Sequence, residues 1–147
     1  MRDGEGPMER AQMESLIDRH ITAERERDIA AILATCTADI EQDAIGREPS
    51  VIRGHDALEA FYREFMADLE YATVTSVRRL YGDDFIVDES MIEAVAHGRP
   101  FDMEGYGRPI RFRTLRIFEV GGELIRRISV WADLSTVHAQ LAPPKHA

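Results

Sequence analysis

After its third helical stretch the hydrophobic pattern of this chain turns to a period of two, near residue 73, and that change limits the architectures open to it. Before it, apolar side chains recur at helical spacing: Met13, Leu16, Ile17 and Ile21 in one stretch, Ile29, Ile32, Leu33 and Cys36 in a second, and Leu58, Phe61, Tyr62, Phe65 and Leu69 in a third. After it, Thr73 to Tyr81, Phe85 to Ala96, Ile110 to Val120 and Glu123 to Asp133 read as strands, rich in Val, Ile, Phe, Thr and Arg with a period of two. Gly82-Asp83-Asp84 and Gly121-Gly122 are hairpin-turn signals, and His97 to Pro109 reads as a long hairpin connection. One further strand, Ala38 to Ile45, precedes a loop over 46–54. Asp28 is placed to cap the second helix, Asp56 with Glu59 forms a capping-box pattern for the third, and Asp133 opens a last short helix with Leu134, Val137 and Leu141 inward.

Helices followed by a run of antiparallel strands is an α+β pattern. The apolar stripes must cover one face of a curved sheet, and a curved sheet closed by helices leaves a concave interior suited to a small molecule. A chain of 147 residues, 44% of them hydrophobic, suits one domain, expected over 8–141 with disordered tails at 1–7 and 142–147. The longest apolar runs, such as Ile29 to Ala34, fall far short of the ~20 residues of a membrane span. No apolar stretch of the signal-peptide kind follows the first seven residues, so a cytoplasmic protein is expected. A net charge of −9 argues against nucleic acid and anionic membranes as partners. Cys36, the only cysteine, cannot form an intrachain disulfide or a cysteine metal cage, and its spacing makes it a core residue. Without a His-x-x-x-His spacing, a glycine-rich phosphate loop or a Ser-His-Asp motif, no metal and no cofactor are expected.

Several residues are candidates for chemistry. A carboxylate such as Asp43 at the mouth of an apolar cone would have its pKa raised by desolvation, which suits a proton-abstracting base. Glu41 shares its strand face roughly 7 Å away, so the two acids either divide acid and base roles or lie together in solvent on an edge strand. His20 lies on the apolar stripe of the first helix, as a satisfied core histidine or as a proton shuttle. Phe112, Thr114 and Phe118 alternate on one face, and Thr114 lines the cavity if that face is inward. Arg116 belongs to the same set but needs an acidic partner to turn inward, so it is expected at the rim. Tyr62 and Trp131 are core aromatics able to wall a substrate.

The segment Gly107-Arg-Pro-Ile-Arg-Phe-Arg-Thr-Leu-Arg-Ile-Phe-Glu-Val-Gly-Gly-Glu-Leu-Ile, followed by Trp131-Ala-Asp133, resembles the C-terminal hairpin of SnoaL-like proteins. Gly54-His-Asp-Ala-Leu-Glu-Ala-Phe-Tyr-Arg is similar to the third helix of these proteins and of the ketosteroid isomerases. The resemblance runs from about residue 12 to 141. It implies a nuclear transport factor 2-like fold, a cone of mixed or antiparallel sheet wrapped around N-terminal helices with an internal pocket. Such folds host isomerases, polyketide cyclases, epoxide hydrolases, dehydratases and non-catalytic binding modules. Carried over by residue, the isomerase pattern implies Asp43 as general base, Tyr62 as a pocket tyrosine and Trp131 as a cavity wall. His20 stands where the isomerases have an oxyanion-hole tyrosine, and Thr114 where they have a protonated aspartic acid. The Asp-Arg-Asp set of limonene epoxide hydrolases corresponds to Ile92, Ser90 and Val130, which excludes that chemistry. The expected function is a cofactor-independent isomerase, cyclase or dehydratase acting on a small hydrophobic carbonyl compound. Asp43 and His20 would be its catalytic residues, and Glu41, Tyr62, Phe112, Thr114 and Trp131 would contact the substrate. The alternative is a non-catalytic ligand-binding or dimerisation module. The resemblance also implies a homodimer.

Overall fold

A computed structural model describes residues 8–143. Helix α1 (Arg10–Arg25) opens with a reciprocal cap in which Gln12 accepts from the Glu9 backbone N–H. Helix α2 (Ile29–Ala34) begins at Asp28, whose side chain accepts from the Ala31 N–H as its sequence position predicts. Strands β1 (Cys36–Ala44) and β2 (Val51–Arg53) precede α3 (Gly54–Asp68). Strands β3 (Leu69–Tyr81), β4 (Phe85–Ala96), β5 (Arg108–Gly121) and β6 (Leu124–Ala132) follow, and α4 (Leu134–Leu141) starts under an Asp133 cap.

The six strands form one curved sheet in the order β2-β1-β6-β5-β4-β3. β1 runs parallel to β6, and every other neighbouring pair is antiparallel. Register shifts between Tyr71 and Thr73 and between Ser76 and Arg78 bend β3 against β4, as bulges do. The β5–β6 turn places Gly122 and Glu123 at φ 58° and 69°, a conformation that favours glycine at the first of them.

Two expectations about local structure change. The third helix starts at Gly54 behind an extended Arg53, so the Asp56–Glu59 box does not form and Glu59 pairs with Arg63 instead. β2 lies inside the expected 46–54 loop, three residues paired with Glu41 to Asp43 and too short to carry a period of its own. Of the tails expected at 1–7 and 142–147, residues 1–7 and 144–147 lie outside the described residues.

The helices cover one face of the sheet, and alternation along β5 is strict: Ile110, Phe112, Thr114, Arg116, Phe118 and Val120 all point inward and are buried. The interior holds two apolar clusters. One joins α1, α2, α3 and β1 to Ile86 and Phe118; the other joins Val137 and Leu141 of α4 to Ile92 and Phe112. Between them, on the adjacent strands β4 and β5, the inward residues are polar. β4 presents Asp88 and Ser90, and their register partners on β5 are Arg116 and Thr114. A polar belt two residues deep thus divides the core.

Candidate functional site

Helix α1 brings two polar side chains into the interior because both continue its apolar stripe. His20 and Glu24, one turn apart, follow Met13, Leu16 and Ile17, and His20 is wholly buried at 0% exposure. Helix α3 contributes Tyr62 and β5 contributes Arg116, and all four converge. Arg116 Nη1 donates to Glu24 Oε1 at 2.8 Å and to Oε2 at 2.9 Å, and the Tyr62 hydroxyl donates to Oε2 at 2.7 Å. His20 Nε2 lies 3.5 Å from the Tyr62 hydroxyl and 3.6 Å from Glu24 Oε2.

Thr35, at the C-terminal end of α2, sets the other side of the imidazole. Its hydroxyl donates to the Ile32 carbonyl at 2.6 Å, so at 2.8 Å from His20 Nδ1 it can only accept. That assigns a proton to Nδ1 and turns Nε2 toward Tyr62 and Glu24.

Burial pushes the Glu24 carboxyl upward, but the facing Arg116 guanidinium, with His20, outweighs it and holds the group well below the usual carboxylate range. Burial likewise works against the Arg116 charge, and Glu24 more than restores it. Burial first, and the Glu24 charge next, push the Tyr62 phenol well above its ordinary value, so it stays a donor. Burial raises the Cys36 thiol to about 11, which suits a packed core residue rather than a nucleophile.

The belt continues to β3. Asp88 accepts from Ser76 at 2.6 Å, from Arg79 at 2.7 Å and from Ser90, while Arg79 reaches Asp18 of α1 at 2.7 Å. Burial would raise the Asp88 carboxyl, and these hydrogen bonds bring it below its ordinary value. Two buried donors of the belt, Thr114 Oγ1 and Arg116 Nε, have no protein partner among the described residues; Thr37 Oγ1 and Arg47 Nη1, outside the belt, share that condition.

The structure therefore divides the expected site residues. His20, Tyr62, Phe112 and Thr114 are inside, with Phe112 packed edge-on against Phe101. Asp43, Glu41 and Trp131 are on the opposite face of the sheet. The cause is register: β1 pairs Gln42 with inward Ile128, so Glu41 pairs with Arg127 and Asp43 with Ser129 on the outer side. There Arg127 binds Glu41 at 2.6 Å and Asp43 Oδ2 at 3.1 Å, and Arg53 binds Glu41 at 2.6 Å. Hydrogen bonds from Arg53 and Arg127 hold the exposed Glu41 carboxyl below its ordinary value. Asp43 is 18% exposed, and its Oδ1 has no partner among the described residues.

Trp131, 39% exposed, lines an open groove of about 720 Å³ with Leu115, Met91, Arg113 and Glu89 of the outer face, and Phe112, Thr114 and Thr136 also border it. A second groove, of about 970 Å³, runs between α1 and α2. Arg116 is corrected from rim to interior, because Glu24 is the acidic partner that an inward guanidinium needs. Glu24 itself escaped the sequence reading. Its signal was its place on the α1 stripe, four residues after His20. Among the described residues no cluster of three or more His, Cys, Asp or Glu is arranged to hold a metal ion, and no helix is long and apolar enough to cross a membrane.

Comparison with known proteins agrees with this architecture. The family model for the SnoaL-like domain matches residues 17–128. TsrD from Streptomyces laurentii is similar in structure with a TM-score of 0.79 at 19% identity, over 92% of this chain and 98% of that one. A protein proposed to be a SnoaL-like polyketide cyclase, from Jannaschia sp. CCS1, gives 0.79 at 16% identity, over 91% and 94%. An LEH-like epoxide hydrolase from M. tuberculosis gives 0.71 at 15% identity, over 89% and 90%. At these identities the likeness is one of fold. No curated protein matches the sequence.

Proposed function

This chain belongs to the SnoaL-like domain family, and from that premise we propose that it is a cofactor-independent enzyme of isomerase, cyclase or dehydratase type. Its substrate is a small hydrophobic carbonyl compound held in the interior between α1, α3 and the inner face of β5. One observation carries this reading: His20, Glu24, Tyr62 and Arg116, from three separate elements, meet in the interior, two residues along the inner face of β5 from Thr114, whose hydroxyl has no partner among the described residues.

In this reading the Tyr62 oxygen takes the proton from the carbon next to the carbonyl as its own O–H, turned from Glu24, passes to His20 Nε2, and the carbon's electron pair forms the enolate. Thr35 holds the ring in the required tautomer. The imidazolium that forms lies 3.6 Å from Glu24, whose charge is fixed by Arg116 and stabilises it. Thr114 donates to the developing enolate oxygen. Phe112 and Phe101 supply an apolar wall.

A second reading keeps Asp43 as the base, and its buried, unpartnered Oδ1 is the observation on its side. In that reading the substrate would lie on the outer face, near Glu41 and Trp131. Exchange of the α-protons of 2-indanone in deuterated water, followed by proton NMR, separates the readings. The interior reading expects His20→Gln to lower the catalysed rate by about 100-fold or more, within the range of general acid–base catalysis, and Asp43→Asn to leave it unchanged. The reverse pattern moves the base to Asp43. Binding of the ketone with no exchange leaves a non-catalytic ligand-binding module. A homodimer through the outer sheet face, where Leu115 and Trp131 are exposed, completes the proposal, and sedimentation mass reads it directly.

A further inference from the structure

We infer that the compound bound in the interior carries a carboxylate, and that Arg116 receives it through the Nε–Nη2 edge of its guanidinium. The inference rests on the interior reading above and names the chemical class of its ligand.

Both bonds from Arg116 to Glu24 leave from a single nitrogen, Nη1. A guanidinium is planar, and its Nε–H lies on the same edge as one N–H of Nη2. Those two parallel donors form the fork that matches the two oxygens of a carboxylate. In Arg116 this edge is open at Nε, which is buried and has no partner among the described residues, in a residue only 6% exposed. The plane of the fork is held by two contacts. Glu24 grips Nη1, and the guanidinium carbon sits 4.8 Å from the centre of the Phe118 ring.

Thr114 adds a third donor. It lies two residues along the same inward face, roughly 7 Å away along the strand, 5% exposed and also unpartnered. Two neighbouring inward positions of one strand thus each hold a buried donor with no partner among the described residues, where folded proteins satisfy nearly all such groups. A neutral carbonyl oxygen would engage one donor and leave the fork half used. A carboxylate engages Nε, Nη2 and the Thr114 hydroxyl together.

The buried charges of the belt are matched, Arg116 with Glu24 and Arg79 with Asp88; the further acid on Arg79, Asp18, lies at the solvent-exposed surface, where water screens it from the fork. Beyond Thr114 the face becomes apolar, with Phe112 and Phe101 in edge contact. The ligand is therefore a small carboxylic acid with a hydrophobic or aromatic body.

Benzoate and its neutral isostere benzamide test this by titration of the whole protein, followed by ¹H–¹⁵N NMR. Benzoate is expected to shift the amides of Thr114 and Arg116, with benzamide binding much more weakly. Arg116→Lys, which keeps a positive charge beside Glu24 and removes the fork, is expected to weaken benzoate binding by about tenfold or more, as loss of a bidentate charge-assisted pair requires. Thr114→Val, a near-isosteric change, is expected to weaken it several-fold and decides the matter if the lysine variant does not fold. Equal binding of benzamide, unchanged affinity in both variants, or no binding of benzoate overturns the inference. Benzoate shifting Trp131 and Leu115 instead would remove the interior reading itself. Interior binding without a preference for charge leaves that reading standing and sinks only the carboxylate.

Discussion

The two faces of the sheet carry the same chemical pair in opposite settings. Inside, Glu24 binds Arg116; outside, Asp43 and Glu41 bind Arg127. The distances are alike, near 3 Å, but the surroundings are not. The inner pair is enclosed by Phe118, Tyr62 and His20, so neither charge has water to fall back on. The outer group lies partly in solvent, with Arg127 27% exposed, and is shared among Glu41, Asp43 and Glu119. The lesson concerns asymmetry: the net worth of a buried pair is small, but removing one partner is expensive, whereas an exposed pair is weak either way.

The largest break in that comparison comes from Glu24→Gln. It leaves the Arg116 charge buried without its partner, and urea unfolding should show a loss of about 3–5 kcal/mol. Acid does the same to the wild type. The folded Glu24 carboxyl lies below its ordinary 4.5, so the stability it contributes is complete above that pH and drains away as pH falls toward the folded value. Asp88, also held below its ordinary value, adds to the same acid limb. Circular dichroism at a series of pH values should therefore show a shallower acid slope in Glu24→Gln than in the wild type.

Thr114→Val sharpens the comparison in the other direction. Removing a buried hydroxyl that has no partner should raise the stability of the free protein by about 1 kcal/mol, although the same change weakens the proposed site. Such a trade of stability against function marks a group kept for a ligand. A loss of stability would instead mean that the hydroxyl has a structural partner. The smallest effect belongs to the outer face. Asp43→Asn should cost about 1 kcal/mol or less, and salt should narrow the difference from the wild type further because that pair is open to screening.

Much of the architecture was legible in the residues. The stripes of α1 and α3, the Asp28 and Asp133 caps and the alternation of β4 and β5 are local patterns, and the structure reproduces them. The interior site was half legible. His20 and Tyr62 stood out because a polar group on an apolar stripe is visible in sequence, and Glu24, on the same stripe, was no less visible. Arg116 was misplaced because the cost of an inward charge depends on a partner 92 residues away.

The sequence by itself determined the order of elements, the three-residue β2 excepted, and which residues of each longer strand share a face, since both follow from helix and strand periods. Only the tertiary structure decided which of its two faces β1 turns inward. That choice hangs on one residue of register, set where β1 meets β6 in parallel and shifts its pairing between Cys36 and Glu41. A slip of one residue exchanges Gln42 for Asp43, and within the strand's own nine residues a single large aliphatic side chain, Ile40, buried on the Gln42 face, marks the choice, too little to fix it without the partner strand.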